Sequence, residues 1–111
     1  MFEKLRCIDN RYIIYMIRNF KTKISQDIFD GIESRWSRKI PSELHDKIRR
    51  LFDQINAATK IDTLRAPRGN KLEKLKGILK NYWSVRANKQ WRVIFKWENG
   101  DALDVDIVDY H

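Results

Sequence analysis

The C-terminal third of the chain has the pattern of three consecutive β-strands, and this pattern restricts the fold more than any other feature. Residues rich in β-branched and aromatic side chains occupy three runs: 81–87, 90–98 and 101–110. The second and third runs are joined by Asn99-Gly100. Asn-Gly between two such runs favours a type I′ turn, because both central residues of that turn have positive φ. We therefore predict an antiparallel meander.

Side chains alternate between the two faces of a strand, so the middle run gives the predicted sheet two unlike faces. The members of one face are entirely apolar: Trp91, Val93, Phe95 and Trp97. The members of the other face are mixed: Arg92, Ile94 and Lys96. The same rule divides the third run. One face receives Leu103, Val105 and Ile107, and the other receives Asp104, Asp106 and Val108. The apolar face needs a cover, because exposing it to water is unfavourable.

The N-terminal half supplies this cover as two predicted helices. Residues 12–20 favour a strand. Apolar residues at helical spacing then predict a helix over residues 24–36: Ile24, Ile28, Phe29, Ile32 and Trp36. Gly31 inside that helix costs about 1 kcal/mol relative to alanine. A second helix is predicted over residues 41–58 from a five-member stripe: Leu44, Ile48, Leu51, Phe52 and Ile55. The predicted fold class is α+β, with two N-terminal helices packed on one face of a twisted, mainly antiparallel β-sheet.

Composition narrows the classes of function. A chain of 111 residues forms one domain, and its single cysteine, Cys7, excludes an intrachain disulfide and suits a reducing, cytoplasmic location. No apolar run is long enough to span a membrane. Glycine-rich phosphate loops and zinc-ligand spacings are absent, so we expect no cofactor and no metal. Three acids near the C-terminus suggest a metal site, but cross-strand pairing explains them better: Asp104, Asp106 and Asp109.

The charge of the chain is distributed unevenly. Its net charge is +8, and residues 60–96 hold 11 basic and 2 acidic side chains. Residues 97–111 contain five acids and neither lysine nor arginine. Because lysine and arginine drive binding to nucleic acids by neutralising phosphates, the basic block favours a polyanion as partner.

Residues suited to chemistry on RNA lie in two places. RNA brings its own nucleophile, the 2′-OH, so a protein acting on it needs positioned cations and proton carriers. Cations crowd the loop that leads into a short predicted strand with the sequence LEKL: Arg65, Arg68, Lys71, Lys74 and Lys76. Arg92 lies in mid-strand, and Asp109, Tyr110 and His111 end the chain. An alternative stays open, in which Arg92 pairs with Asp104 or Asp106 and the last residues are frayed.

Three stretches resemble the HigB toxins of the RelE/ParE superfamily. They are NKLEKLKG at residues 70–77, NYWSVRANKQWRVIFKWENGDALDVDIVDYH at residues 81–111 and LFDQINAAT at residues 51–59. The resemblance covers residues 16–111 as a RelE/HigB-like toxin domain, and leaves residues 1–15 as an N-terminal extension. It implies a RelE-like fold and a ribosome-dependent mRNA endoribonuclease that enters the A site of the 70S ribosome. It also implies a HigA-type helix-turn-helix antitoxin as partner.

The resemblance also implies a site, residue by residue. Lys76 and Arg92 match basic residues of the HigB active surface and would stabilise charge that develops on the phosphate. Asp109, Tyr110 and His111 match the C-terminal group of the family, in which Tyr110 or His111 would transfer protons. The other cations of the loop would hold the RNA backbone: Arg65, Arg68, Lys71 and Lys74.

Glu73 departs from the family pattern, because it stands where some HigB relatives have a catalytic histidine. Neighbouring cations favour the charged form of a carboxylate, which makes Glu73 a weak general base at neutral pH. Two hypotheses follow: Glu73 acts as the base, or it orients a cation and leaves proton transfer to His111, since histidine titrates near neutrality.

Two other functions remain open on the sequence. A ParE-like toxin would inhibit DNA gyrase by binding, without any acid–base group. A non-catalytic RNA-binding module would keep the basic surface and equally have no need of His111.

Overall fold

The structure is a computed structural model that describes residues 16–110 in full and the two preceding strands by their backbone alone. The elements follow in chain order: β1 (Lys4–Ile8), β2 (Arg11–Tyr15), α1 (Lys23–Asp30), α2 (His45–Ala57), β3 (Glu73–Lys74), β4 (Trp83–Arg86), β5 (Trp91–Glu98) and β6 (Asp101–Asp109). The two helices and the antiparallel sheet confirm the α+β class.

The main sheet has four strands in the order β3-β4-β5-β6, and every neighbouring pair is antiparallel. The meander predicted from the sequence is therefore confirmed. Asn99 and Gly100 have φ values of 52° and 82°, as a type I′ turn requires. At the other hairpin, the Asn88 side-chain oxygen accepts hydrogen bonds from the backbone N–H groups of Gln90 and Trp91, at 2.8 and 2.7 Å.

The strand predicted over residues 12–20 is found only as far as Tyr15. β2 pairs with β1 in a separate two-stranded sheet. Residues 16–21 then run parallel to β6, where the Arg18 N–H donates to the Ala102 carbonyl at 2.8 Å and the Lys21 N–H to the Val105 carbonyl at 2.9 Å.

A β-bulge in the β5–β6 pair corrects one predicted face. Ile94 is opposite Asp106, but Lys96 is opposite Leu103, so the register shifts between them, and Asp104 has a φ of 50°. An extra residue reverses the alternation beyond it. Leu103 therefore shares the face of Lys96, and the core-facing residues of β6 are Ala102, Val105 and Ile107.

The first helix is shorter than the periodicity predicts. α1 ends at Asp30 because Gly31, with a φ of 71°, adopts the left-handed conformation that terminates helices. Ile32, predicted on the buried stripe, is 49% exposed, and Trp36 lies outside the helix. The second helix agrees with the prediction in four of the five stripe members, which are buried in α2: Ile48, Leu51, Phe52 and Ile55. The predicted start is too early, because residues 42–44 form a 3₁₀ turn, from which Leu44 packs on the core.

The main core lies between the helices and one face of the sheet. The α2 stripe and Ile28 of α1 belong to one buried cluster with Val93, Phe95 and Val105. A smaller cluster lies on the opposite face, where Ile94 packs with Leu75 and Tyr82. Among the residues that the structure describes, no helix has the length and apolar character that crossing a lipid bilayer requires.

Candidate active site

Arg92 is the centre of the polar cluster on the face of the sheet that the helices do not cover. Its neighbour Val93 is fully buried in the core, so alternation along β5 sends Arg92 to the other side. β3 places Glu73 directly opposite Ser84 of β4. Arg92 Nη1 donates to Ser84 Oγ at 2.9 Å and lies 3.3 Å from Glu73 Oε1. The side chain of Arg92 is 13% exposed, so these contacts hold it in a largely enclosed position.

Tyr110 holds the flat face of the same guanidinium group. Arg92 Cζ lies 4.5 Å from the centre of the Tyr110 ring, which is cation–π geometry. The Tyr110 N–H donates to the Gln90 carbonyl, which continues the β-ladder beyond β6. Tyr110 is therefore fixed by backbone and side chain, and the alternative in which it belongs to a frayed end is wrong.

The contacts of Arg92 leave one edge of its guanidinium group available. The hydrogen bond to Ser84 and the ion pair with Glu73 both use Nη1. Nε and Nη2 make no hydrogen bond to any residue within 16–110. The Nε–Nη2 edge of arginine presents two parallel N–H groups that match two oxygens of a phosphate. Glu73 and Ser84 thus orient the cation by one nitrogen, and a bidentate edge is left for an anion.

An open cleft adjoins this cluster. It has a volume of about 310 Å³ and is lined by Glu73, Lys74, Leu75, Lys76, Leu79 and Tyr110. Leu75 and Leu79 give it an apolar floor, and Lys76 contributes an exposed cation. The cleft therefore combines an apolar surface with cations and a phenol, which suits a nucleotide with its phosphate.

The structure thus brings Glu73 and Tyr110 against Arg92, and Lys76 lines the same cleft as Glu73 and Tyr110. Asp109 is directly opposite Trp91, on the core side of the sheet, and accepts a hydrogen bond from Gln90 Nε2 at 3.2 Å. His111 lies outside the described residues.

The predicted RNA-binding cations are more dispersed. Lys74 lines the cleft, but its Nζ lies 5.1 Å from the centre of the Trp83 ring. Arg65 pairs with Asp62 at 3.0 Å. Arg68 and Lys71 are exposed on the same loop and do not line the cleft.

The pairing alternative for Arg92 is wrong. Asp104 lies 3.4 Å from Lys96 and accepts a hydrogen bond from Asn19 Nδ2 at 2.7 Å, and the Asn19 bond chiefly lowers the pKa of Asp104. Asp106 accepts hydrogen bonds from hydroxyl groups at the start of α1. The described residues include no group of three or more histidine, cysteine, aspartate or glutamate side chains placed to hold a metal ion.

Sequence reasoning missed two residues of this cluster. Ser84 is fully buried and accepts the Arg92 hydrogen bond, and Arg86 lies directly opposite Arg92 across β4 and β5. Period-two alternation along β4 puts Ser84 and Arg86 on one face, and this was the signal that could have found them.

Comparisons with known proteins point to one family of toxins. A family model described as the RelE-like toxin of the type II toxin–antitoxin system HigB matches residues 18–111. Toxin HigB-1 of Vibrio cholerae serotype O1 is 37% identical over 89 residues, which are 80% of this chain and 92% of that toxin. Endoribonuclease HigB of Proteus vulgaris is 35% identical over 97 residues, which are 86% of this chain and 100% of that enzyme.

Proposed function

Because this chain belongs to the HigB family of RelE-like toxins from type II toxin–antitoxin systems, we propose that it is an endoribonuclease that cleaves mRNA. The observation that carries the proposal is the Arg92 guanidinium group, which Glu73 and Ser84 hold at Nη1 while Nε and Nη2 make no hydrogen bond to any described residue. An arginine fixed in this way is suited to the scissile phosphate.

The proposed reaction begins with attack of a ribose 2′-OH on the adjacent phosphorus atom. The new P–O bond forms as the bond to the 5′-oxygen of the next nucleotide breaks, which leaves a 2′,3′-cyclic phosphate and a free 5′-OH. One proton leaves the 2′-OH and one reaches the departing oxygen, so no oxidant, reductant or divalent metal enters the balance. Charge accumulates on the phosphate oxygens in the transition state, and fixed donors stabilise it.

Each side chain has a separate role in this proposal. Arg92 and Lys76 stabilise the phosphate charge, since Lys76 is an exposed cation at the cleft. Glu73 orients Arg92, because its Oε1 lies 3.3 Å from Nη1. Tyr110 or His111 transfers protons.

The remaining cations guide the RNA backbone in this proposal. Arg65, Arg68 and Lys71 occupy the loop before β3, and Lys74 lines the cleft. Loop cations bind phosphates without a fixed geometry, and their dispersed positions suit affinity better than chemistry.

A type II toxin has an antitoxin partner. We propose that this antitoxin is of the HigA type, with a helix-turn-helix domain, and that the substrate is mRNA in the A site of the 70S ribosome. The basic block of residues 60–96, with 11 basic side chains against 2 acidic ones, supports a partner rich in phosphate. Residues 1–15 are proposed to be an extension without a part in catalysis.

The test uses purified full-length protein with translating ribosomes and, separately, with the same mRNA alone. We expect cuts within translated codons and largely intact naked RNA. Cutting should be unchanged when transition-metal ions are chelated and Mg²⁺ is kept for the ribosome. A 2′-deoxyribose at the scissile position should abolish cleavage, because it removes the nucleophile. Undiminished cutting of the deoxy substrate contradicts the mechanism. Growth arrest with intact mRNA and altered plasmid topology would instead favour gyrase inhibition.

A further inference from the structure

The segment that joins α1 to α2 presents a tryptophan among cations. Arg35 Cζ lies 4.6 Å and Lys39 Nζ 6.0 Å from the centre of the Trp36 ring. With Arg38 they line a surface recess of about 340 Å³, and all three cations are exposed. Within residues 16–110, none of the three forms a salt bridge with an acid. We call Arg35, Trp36, Arg38 and Lys39 the Trp36 surface.

Trp36 differs from the other tryptophans in its surroundings. Trp83, Trp91 and Trp97 are partly buried and pack against the main core. Trp36 is also partly buried, but it is not among the described side chains that pack on that core. Packing on the main core therefore does not explain a tryptophan at this position.

A buried polar network fixes the backbone that carries Trp36. Asp27 is buried and accepts a hydrogen bond from Ser34 Oγ at 2.6 Å. Ser34 Oγ accepts in turn from the N–H groups of Trp36 and Ser37, at 3.2 and 3.1 Å. Ser37 is buried, and its Oγ accepts from the Ser34 N–H at 2.9 Å. The turn is therefore ordered before any partner arrives, which lowers the entropic cost of binding.

The Trp36 surface and the cleft lie on different sides of the sheet. The segment containing Trp36 connects α1 and α2, which cover the face that carries Val93 and Phe95. Arg92 and the cleft lie on the opposite face. A ligand bound at the Trp36 surface therefore leaves the cleft accessible, and a ligand bound in the cleft leaves the Trp36 surface accessible.

We propose that the Trp36 surface binds a single-stranded RNA segment other than the one in the cleft, with an unpaired base stacked on Trp36. Base stacking on an aromatic ring beside a phosphate-binding cation is the usual arrangement in single-strand recognition. The three cations would contact phosphates on either side of that base. An acidic protein segment would also satisfy the charges, but a ring flanked by three cations matches the alternation of base and phosphate along a single strand, so RNA fits more of the observations. The inference needs only RNA as partner and does not depend on cleavage.

The test measures binding of the full-length protein to a fluorescent ten-nucleotide RNA that is 2′-O-methylated throughout and unpaired. The Arg35→Ala/Arg38→Ala/Lys39→Ala variant is compared with Lys47→Ala/Arg50→Ala/Lys89→Ala, which removes the same charge from positions outside the cleft, the loop before β3 and the Trp36 surface. We expect the first to lose at least about tenfold in affinity and the second less than about threefold. The Arg35/Arg38/Lys39 variant should also lower the slope of log affinity against log salt concentration by about 2, because each of three lost phosphate contacts contributes roughly 0.7.

Substitutions of Trp36 separate stacking from charge. Trp36→Leu removes the ring and should weaken binding by about 5- to 150-fold, whereas Trp36→Phe keeps a ring and should retain most of the affinity. Urea unfolding of each variant checks that it is folded. Equal losses in the two triple variants, or wild-type affinity in Trp36→Leu, would overturn the proposal. So would unchanged RNA affinity together with lost co-purification of the cognate antitoxin, since the surface would then bind protein.

Cleavage of translated mRNA is measured on the same preparations, so that the two hypotheses fail separately. If the wild-type protein does not cut but the variants lose RNA affinity as expected, the proposed endoribonuclease function fails and the Trp36 surface stands. If the wild-type protein cuts but Trp36→Leu and the Arg35/Arg38/Lys39 variant bind RNA with wild-type affinity, the inference about the Trp36 surface fails and the proposed endoribonuclease function stands.

Discussion

The two faces of the four-stranded sheet are made from adjacent residues of the same strands but are held together in different ways. Val93 and Phe95 are fully buried among the helices, where each contributes apolar area. Arg92, between the core-facing Trp91 and Val93, is held by a carboxylate, a hydroxyl group and an aromatic ring. Packing on the first face determines the fold, and polar contacts on the second determine the orientation of one cation. Substitutions on the core face should therefore change stability, and substitutions on the cleft face should change activity.

The largest effect is expected on the core face. Phe95→Ala removes a fully buried ring and should lower the free energy of unfolding by about 3–5 kcal/mol. Urea unfolding followed by circular dichroism measures this change. Glu98→Ala, at the exposed end of the same strand, is the matched control and should stay within about 0.5 kcal/mol. A small effect of Phe95→Ala would mean that the two faces do not differ in this way.

On the cleft face, Arg92→Lys should act on the reaction rate. Lysine keeps the charge but loses the planar edge, and a lost transition-state donor costs about 2.7–4 kcal/mol, or roughly 100- to 1000-fold in rate. Single-turnover cleavage of translated mRNA measures it, with Lys89→Ala as an exposed cation control. We expect Lys76→Ala to behave similarly. A change in affinity with an unchanged rate would assign Arg92 to binding instead.

Cations beyond the cleft should change affinity and leave the rate of bound substrate unaltered. Arg65→Ala and Lys71→Ala should each weaken RNA binding and lower the salt slope by about 0.7 where one phosphate contact is lost. Binding to the 2′-O-methylated RNA over a series of salt concentrations measures both quantities. If either substitution slows single-turnover cleavage at saturating protein, the loop belongs to the reaction centre.

A smaller and pH-dependent effect is expected from two carboxylates that are not among the contacts of Arg92. The Ser34 hydrogen bond lowers the pKa of Asp27, and the Asn19 hydrogen bond lowers that of Asp104. A folded-state pKa below the unfolded value, near 3.9 for aspartate, gives stability that is complete above that pH and is lost as the pH falls through the folded pKa. Asp27→Asn should thus be less stable at pH 7, and its urea midpoint should change less on acidification than that of the wild type. A wild-type acid dependence in Asp27→Asn would contradict this.

The smallest effect is expected from removing residues 1–15. β1 and β2 form their own sheet, and residues 16–21 bond to β6 without them. The 16–111 protein should fold, cut mRNA at the wild-type rate and melt at nearly the wild-type temperature. Thermal unfolding and growth arrest on induction are the measurements. An insoluble or inactive product would show that the N-terminal sheet supports the domain.

Much of the fold followed from side-chain periodicity, and the exceptions have physical reasons. Alternation separated Val93 from Arg92 correctly, since β5 is regular there. It failed at Leu103 because a bulge is set by the fit between two strands, which neither strand shows alone. Gly31 was placed inside a helix because Ile28 and Ile32 continue the stripe across it, although its positive φ ends the helix.

The site was predicted less completely than the fold. The charge pattern and the family resemblance selected Arg92, Glu73 and Tyr110, but their meeting depends on β3, a strand of only two residues, pairing with β4. Ser84 was missed because one serine in a strand carries no charge or spacing signal. Its role appears only when the hydroxyl group is seen 2.9 Å from the guanidinium nitrogen.

The edges of the main sheet also affect whether the toxin aggregates once it is released from its antitoxin. An open strand edge is a template for pairing with another molecule, and hence for aggregation. Here the outer edge of β6 is bonded to residues 16–21 through Ala102 and Val105, and the opposite edge is the two-residue, charged β3. The sheet therefore offers little backbone for growth into larger assemblies. A freed toxin with these edges should remain dispersed at concentrations where an uncovered β6 would drive self-association.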